Sequence, residues 1–318
     1  MILSIQNVVK TYGNYTAVDH VSFDMPKGCV FGMLGPNGAG KTSLIRMITT
    51  ITAPDSGAIL LAGEKLNFNT PEKIGYMPEE RGLYKKMKVG EQLLYLARLK
   101  GLSKAAAQQE IDHWLTKFDI RDWWNKKVED LSKGMQQKIQ FIATVVHKPP
   151  LLILDEPFTG LDPINTNLIK DEIAELNAAG TSIIFSTHRM ESVEEMCDYI
   201  VLINRGRNVL YGEVGAIKNE YKENIYRVDY AGDLPANFAE HFPVKKQGAG
   251  LAAKASLPAQ SRQAGATEGT VTVQVADEAA STDLLRYLVQ HNVRVRGFNE
   301  ILPTFNEIFI RRVGETAE

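Results

Sequence analysis

The stretch that most constrains this chain is the glycine-rich run Gly35–Ser43, which reads Gly-Pro-Asn-Gly-Ala-Gly-Lys-Thr-Ser. It fits the phosphate-loop pattern G-x-x-x-x-G-K-[ST]. The apolar run 30–34 before it predicts a buried strand, and residues 43–48 after it predict the start of a helix. A glycine turn that matches by accident is the alternative, but the order strand, loop, helix is the context that the motif requires.

A loop of this kind binds phosphate through its backbone. Glycines allow the chain to wrap an anion without Cβ clashes, and successive N–H groups with a helix N-terminus then point at the anionic oxygens. Lys41 can reach the β- and γ-phosphates, and the Thr42 hydroxyl can ligate Mg²⁺. The predicted phosphate-binding residues are Gly35, Asn37, Gly38, Gly40, Lys41, Thr42 and Ser43.

Two carboxylates follow a second apolar run. Leu151–Leu154 predicts a central parallel strand that is covered on both faces, and Asp155 and Glu156 come directly after it. Mg²⁺ prefers oxygen ligands, so Asp155 suits the metal, while Glu156 suits the orientation and deprotonation of water. Solvated acids at a strand end are the alternative, which the upstream phosphate loop makes less favourable.

The rest of the pattern predicts two parts. Residues 1–222 alternate strands with helices, which indicates a parallel α/β sheet with an antiparallel patch near the N-terminus and a mostly helical insertion over 80–148. Residues 223–318 predict a small α+β domain, in which the Gly-, Ala-, Ser- and Gln-rich stretch 247–267 is a flexible loop.

Composition excludes several classes of protein. The 318 residues carry a formal net charge of -2, so nothing suggests a nucleic-acid partner. The two cysteines, Cys29 and Cys197, form no metal or disulfide pattern, although spacing alone leaves open that they meet in space. With no long apolar segment and no signal peptide, the expectation is a soluble cytoplasmic protein that reaches a membrane only through a partner.

A third motif points to a family. Residues 131–138, Leu-Ser-Lys-Gly-Met-Gln-Gln-Lys, resemble the Leu-Ser-Gly-Gly-Gln signature of ATP-binding cassette (ABC) proteins, with Lys133 and Met135 departing from it. Ser132 and Gly134 at a helix N-terminus make a second anion cradle. A simple N-cap is the alternative. Two cradles but one phosphate loop suggest that the second cradle serves another copy of the chain.

Further motifs follow in the order typical of this family. Residues 158–162, ending in Asp162, resemble its D-loop, and His188 after a buried strand resembles its switch histidine, which can donate to a γ-phosphate oxygen. Tyr12 resembles the aromatic residue that stacks on adenine, and a turn tyrosine is the alternative. Glu79 occupies the Q-loop position, where the family usually has Gln, and we expect it to keep a Mg²⁺ contact while changing how ATP binding is coupled to motion.

The resemblance implies an α/β, RecA-like P-loop cassette with a parallel core sheet, an antiparallel patch and a helical subdomain. It also implies a head-to-tail homodimer that binds two ATP with Mg²⁺, and integral membrane permease subunits that place the chain at the inner face of the cell membrane. The tail resembles the small C-terminal domain of drug- and sodium-efflux exporter ATPases, on the residues 301–309. In this family a partner's coupling helix docks near Glu79–Val89, where Leu83, Tyr84 and Met87 are either contacts or subdomain core.

Three functions are therefore compared. The first is the ATPase subunit of a membrane exporter. The second is a soluble cassette acting on ribosomes or DNA, which the single motif set and the lack of a basic tract disfavour. The third is a binding-only cassette, which the presence of Lys41, Glu156 and His188 disfavours, while Glu79 and the altered signature leave it open.

Overall fold

The computed structural model describes residues 1–80, 82–249 and 268–315, and these divide into two compact units, Met1–Val214 and Gly215–Glu318. The division lies after Val214, where the sequence predicted a boundary after residue 222. The strands of the first unit are β1 Leu3–Tyr12, β2 Tyr15–Met25, β3 Val30–Leu34, β4 Ser56–Leu61, β5 Glu64–Lys65, β6 Ile74–Met77, β7 Leu151–Asp155, β8 Ser182–Thr187, β9 Tyr199–Asn204 and β10 Arg207–Glu213. Its helices are α1 Lys41–Ile48, α2 Val89–Leu99, α3 Lys104–Lys117, α4 Lys133–Val145, α5 Pro163–Ala178 and α6 Met190–Met196, and α7 Val214–Glu220 crosses the boundary.

A six-stranded sheet forms the centre of the first unit, in the order β10-β9-β3-β8-β7-β6. The five strands from β9 to β6 are parallel, and β10 pairs antiparallel with β9 at one edge. β3, β7 and β8 are buried along their whole length, as expected for strands that are covered on both faces. The carboxyl ends of β3, β6, β7 and β8 therefore meet at one edge, which is where parallel sheets bind ligands.

A second sheet, in the order β2-β1-β4-β5, is the predicted antiparallel patch. Its apolar face packs with one side of the central sheet in a shared core that contains Leu3, Phe23, Phe31 and Met33. The β1–β2 hairpin is longer than the sequence suggested, because strand pairing continues to Tyr12 and Tyr15. Gly13 and Asn14 alone form the turn, where the sequence had predicted a loop over residues 11–15.

The helices α2, α3 and α4 form the predicted helical region. Trp114, Phe118 and Phe141 pack ring against ring between α3 and α4. The segment before α2 pairs with the segment before α4, since Val128 N donates to Met87 O at 3.0 Å and Glu129 N donates to Lys85 O at 2.9 Å. This pairing brings the start of the helical region next to the start of α4.

The second unit is a small α+β fold. Its elements are β11 Ile225–Ala231, α8 Phe238–His241, β12 Val244–Ala249, β13 Glu268–Gln274, α9 Glu278–Gln290, β14 Arg294–Ile301 and α10 Phe305–Glu315. The order β12-β13-β11-β14, with every pair antiparallel, gives a β-α-β-β-α-β ferredoxin-like topology. Val228, Val271 and Leu284 are fully buried between the sheet and α9. The flexible loop predicted at 247–267 falls mostly on residues 250–267, which lie outside the described residues, while 247–249 end β12.

Both cysteines are free and buried. Burial raises the pKa of Cys29 to about 11 and also raises the pKa of Cys197, so neither thiol is poised to react as a thiolate near neutral pH.

Candidate functional site

The phosphate loop connects β3 to α1 and needs its glycines for steric reasons. Gly35 has φ +148, and a Cβ there would lie 2.1 Å from the carbonyl oxygen of Ile203. Gly40 has φ +111, and a Cβ there would lie 2.3 Å from the carbonyl oxygen of Ala17. Any side chain at either position would displace the backbone, so the close packing of this loop requires glycine at both positions.

The N-terminus of α1 presents its backbone amides without a side-chain cap. Gly40 occupies the N-cap position and forms no side-chain hydrogen bond to the helix. The amides of Lys41, Thr42 and Ser43 come before the first intrahelical bond, which Leu44 N donates to Gly40 O at 3.0 Å. A helix start of this kind is suited to an anion.

Lys41 lies folded along the loop. Its Nζ donates to Gly35 O at 2.6 Å and to Pro36 O at 3.1 Å. Burial lowers the pKa of Lys41, while the nearby carboxylates of Glu156, Asp155 and Glu79 act in the opposite direction. The ammonium group therefore lies near three acidic groups and against the phosphate loop. Lys41 and the loop amides could contact the same phosphate.

Asp155 ends β7 and is only 5% exposed. Its Oδ1 accepts a hydrogen bond of 2.7 Å from Ser186 Oγ on β8. Burial raises the pKa of Asp155, and the negative charges of Glu156 and Glu79 raise it further, against the effect of the Ser186 hydrogen bond. A cation near this carboxylate would offset both the cost of burying its negative charge and the repulsion from Glu156 and Glu79.

Glu156 is held in a strained backbone conformation and is 8% exposed. Its φ is +49, which is uncommon for a residue other than glycine. Its Oε1 accepts from His188 N at 2.8 Å and lies 2.6 Å from His188 Nδ1. Its Oε2 accepts from Thr187 Oγ1 at 3.1 Å. The residues at the end of β8 thus hold both the Glu156 carboxylate and the ring of His188 in place. Strained backbone conformations cluster at functional sites, so the positive φ of Glu156 also indicates a functional position.

These residues line one cleft of about 360 Å³, which we call the phosphate-loop cleft. Its lining residues are Tyr15, Ala17, Asn37, Gly38, Ala39, Gly40, Lys41, Thr42, Ser43, Glu79, Asp155, Glu156 and His188. Four charged groups other than His188 face it, three acidic and one basic. Within the described parts of the chain, no three His, Cys, Asp or Glu side chains converge to hold a metal alone.

This donor set fits a nucleotide with Mg²⁺. The loop amides and Lys41 suit phosphate oxygens, and the surplus of acidic groups suits a divalent cation. Because Mg²⁺ usually keeps waters and takes only one or two carboxylates plus substrate phosphates, the lack of a complete protein cage is compatible with that ion.

Some predicted site residues lie away from the cleft lining. Ser132 is the N-cap of α4 and accepts from Met135 N at 3.2 Å, and Gly134 follows it on the helix. Asp162 is the N-cap of α5 and accepts from Asn165 N at 3.0 Å. Gly35 shapes the loop from behind. Ser132, Gly134 and Asp162 therefore do not join the cleft of their own chain.

Tyr12 is also absent from the cleft lining, and Tyr15 is present there instead. The two tyrosines are cross-strand partners in the β1–β2 hairpin, so both lie on one face of it. Tyr15 Oη donates to Gly38 O, in the phosphate loop, at 3.1 Å. Sequence reasoning missed Tyr15 because it treated residues 11–15 as a loop, although the Gly13-Asn14 pair between two alternating runs is a hairpin signal. The adenine contact of Tyr12 stays a prediction.

Family models match both parts of the chain. A model described as the ABC transporter family matches residues 18–159. A model described as the C-terminal domain of DrrA1-3-like ATP-binding proteins matches residues 212–313.

Individual proteins agree with these matches. YhaQ of Bacillus subtilis, named as an uncharacterized ABC transporter ATP-binding protein, is 43% identical over 317 residues, which cover 100% of both chains. The Nod factor export ATP-binding protein I of Cupriavidus metallidurans is 36% identical over 67% of this chain and 71% of its own. A solved structure of an ATP-binding subunit of an ABC transporter superposes with a TM-score of 0.66 at 30% identity, over 70% of this chain and 93% of that one.

These comparisons confirm the predicted family and fold class. The family is shown by a relative that matches over its full length, and the fold by the superposed solved structure. The chain belongs to the ATP-binding, ATP-hydrolysing subunits of ABC transporters, and it carries a DrrA-like C-terminal domain.

Proposed function

We propose that this ATPase powers an exporter as a head-to-tail homodimer that sits on separate permease subunits. The observation that carries the proposal is the separation of the two anion cradles within one chain. The phosphate-loop cleft holds Lys41 and the acidic residues, whereas Ser132 and Gly134 begin α4 elsewhere. A second copy that brings its α4 to this cleft would complete the site.

The second cradle has room for a ligand. A Cβ added at Gly134 would meet only one atom within 4 Å, Leu161 Cδ2 at 3.9 Å. Ser132 is exposed and its hydroxyl already caps α4, which leaves the other N-terminal amides for a phosphate oxygen. Charge-assisted hydrogen bonds are worth roughly 1.5–3 kcal/mol each, so a few such bonds from each protomer suffice to drive closure on ATP.

Within the cleft, we assign the phosphates to Lys41 and to the amides of the loop. Thr42, Asp155 and Glu79 would hold Mg²⁺, which when bound neutralises charge that develops on the phosphate oxygens. Glu156 is the group that orients water and accepts its proton. His188 is kept beside Glu156 by the 2.6 Å contact between its Nδ1 and Glu156 Oε1, and its ring lines the cleft next to the phosphates. Asp162, in the D-loop, is assigned to the dimer interface near the second ATP.

A docking surface for the permease lies on the helical region. The rings of Tyr84 and Tyr95 contact edge to face with centroids 6.1 Å apart, and Tyr84 is 53% exposed. Leu99 is exposed beside them, and Leu83 lines an adjoining groove of about 210 Å³. Contiguous exposed apolar side chains mark interaction sites. Tyr84 is thus a contact candidate rather than core, whereas Leu83 and Met87 are half-buried.

The backbone at Tyr84 is hydrogen-bonded to a buried side chain of α2. Gln92 is fully buried, and its Oε1 accepts from Tyr84 N at 3.1 Å.

Among the described residues, no helix combines the length and apolar character needed to cross a membrane.

Export as the direction is supported by the name of a relative in sequence. The Cupriavidus relative is named for Nod factor export, and it is 36% identical to this chain. No described feature favours action on ribosomes or DNA, and the net charge of -2 disfavours it.

Sedimentation of the Glu156→Gln protein with ATP and Mg²⁺ tests the dimer. This variant is expected to bind ATP and to sediment as a dimer, because closure is retained and hydrolysis is not. Lys41→Ala, which removes the phosphate contact, is the matched control and is expected to stay monomeric. An ATP-bound Glu156→Gln protein that remains monomeric would contradict the composite site.

Co-purification from membranes tests the partner. Tyr84→Ser is expected to reduce recovery of a polytopic membrane protein. Phe68→Ser is the control, since Phe68 is 97% exposed but lies outside the docking surface. Equal recovery with both variants would remove Tyr84 from the interface, and recovery of ribosomes or DNA instead would favour the second function.

A further inference from the structure

The helix α4 carries three glutamines whose side chains bind backbone carbonyls in three different loops. Gln136 Nε2 donates to Leu131 O at 3.0 Å and to Val128 O at 3.2 Å, just before the signature. Gln137 Nε2 donates to Pro157 O at 2.9 Å, directly after Glu156. Gln140 Nε2 donates to Pro78 O at 2.9 Å and approaches Glu80 O at 3.5 Å. Through Gln137 and Gln140, the signature helix is therefore bonded to segments next to Glu156 and Glu79, which line its own chain's cleft.

The contact made by Gln140 has a specific position. Pro78 and Glu80 are the residues on either side of Glu79, so one amide group holds the backbone on both sides of that carboxylate. A primary amide has two N–H donors, which matches two carbonyl acceptors. Glu79 itself lines the phosphate-loop cleft, where its charge raises the pKa of Asp155. Fixing the backbone at 78–80 consequently fixes the point from which the Glu79 side chain reaches toward Asp155.

Gln140 is also costly as a purely structural residue. It is only 4% exposed, and its Oε1 has no hydrogen-bond partner among the described residues. A buried acceptor without a partner destabilises the fold, and an apolar side chain of the same length would avoid this cost. A glutamine that is kept in spite of an unpaired oxygen indicates that its donor end is needed.

We infer that Gln140 is a positioning residue that holds Glu79 in place as a metal ligand and ties that ligand to the signature helix. The inference rests on the proposed role of Glu79 toward Mg²⁺. It means that a shift of α4, caused by phosphate bound at the second cradle, moves the metal side of the same chain's own cleft. Gln137, whose Nε2 donates to Pro157 O, likewise ties α4 to the backbone next to Glu156.

Metal affinity tests the inference without relying on turnover. Mn²⁺ serves as the probe, and its binding to the full chain with ATP is measured by electron paramagnetic resonance. Loss of one neutral hydrogen bond to the ligand loop is expected to weaken Mn²⁺ binding about fivefold in Gln140→Met. Gln140→Glu has the same shape without the donor, and it is expected to weaken binding at least as much at neutral pH. The Mg²⁺ concentration for half-maximal ATPase should shift by the same factor.

Gln136→Met is the matched control, because it makes the same change on the same helix and also frees two carbonyls, but not beside Glu79. It is expected to leave Mn²⁺ affinity unchanged. Wild-type affinity in both Gln140 variants, together with weaker binding in Glu79→Gln, would overturn the inference alone. Unchanged affinity in Glu79→Gln would overturn both the inference and the assignment of Glu79.

Discussion

Replacing Glu156 by Gln separates the charge of this residue from its hydrogen bonds. The carboxylate makes three contacts, two through Oε1 to His188 and one through Oε2 to Thr187. In the variant, the amide oxygen can take the place of Oε1, and the amide N–H can donate to the Thr187 hydroxyl, which is also an acceptor. The geometry is kept and only the charge is lost.

The effect on stability is expected to be small for this reason. A charge-assisted hydrogen bond contributes about 1 kcal/mol more than a neutral one, so three contacts lose up to about 3 kcal/mol. The His188 ring is half exposed, so its contact counts at the low end. The variant also removes a buried negative charge that raises the pKa of Asp155. We expect the free energy of unfolding to fall by no more than about 2 kcal/mol.

Hydrolysis is expected to fall far more. Loss of a general base lowers rates by about 10²–10⁴, which is at least about 2.7 kcal/mol in the barrier. Single-turnover ATPase at saturating ATP and Mg²⁺ measures the rate, and chemical denaturation measures stability. Glu172→Gln is the matched control, since Glu172 is equally buried but pairs with Lys117 at 2.5 Å and lies outside the cleft. It should lose stability and keep its rate.

The reasoning would be refuted by a Glu156→Gln protein that binds ATP and keeps more than about a tenth of the wild-type rate. Glu156 would then hold His188 in position without acting on water.

Three further predictions concern the loop and its acidic neighbour. Lys41→Ala removes a charged phosphate contact and is expected to weaken ATP binding at least about a hundredfold, as measured by equilibrium titration; a smaller loss would place the phosphates elsewhere. Gly40→Ala, whose Cβ would lie 2.3 Å from a backbone oxygen, is expected to lose about 3 kcal/mol of unfolding free energy, whereas Gly38→Ala, with no atom within 4 Å, loses about 1 kcal/mol; equal losses in denaturation would show that the clash is relieved. Asp155→Asn removes a carboxylate whose pKa is raised by burial, so the penalty of its charge is present above its folded pKa and is absent below its ordinary value of 3.8. The variant should therefore be more stable than wild type at neutral pH, by a margin that narrows as pH falls toward about 4; a margin that widens would reverse the sign of the shift.

Local pattern was enough to predict the phosphate loop and the acidic strand end. Strand, glycine loop and helix are each specified by residues close in sequence, and carboxyl ends of parallel strands meet at one edge, so Lys41, Asp155 and Glu156 could be placed together. The helix Lys104–Lys117 lies within the helical insertion predicted over 80–148, because an apolar face and the N-cap Ser103 define it locally.

Contacts between distant segments could not be predicted in this way. The bond from Gln140 to Pro78 joins residues 62 positions apart, and it depends on how α4 packs against the end of β6. Tyr15 was missed because hairpin register, rather than residue type, brings it to the cleft. The edge strands β10 and β12 were also missed, since neither has a long continuous apolar run in its sequence.

The central claim is that one active site is built from two chains, and mixing two inactive variants tests it most directly. Lys41→Ala disables the phosphate loop, and Gly134→Asp places a negative charge in the second cradle, where a side chain has room. In a symmetric head-to-tail dimer each mixed pair has one site free of both changes, so an equal mixture should recover ATPase activity that neither variant has alone, up to about half of the wild-type rate when every chain is in a mixed pair. A mixture no more active than its two components would contradict the account.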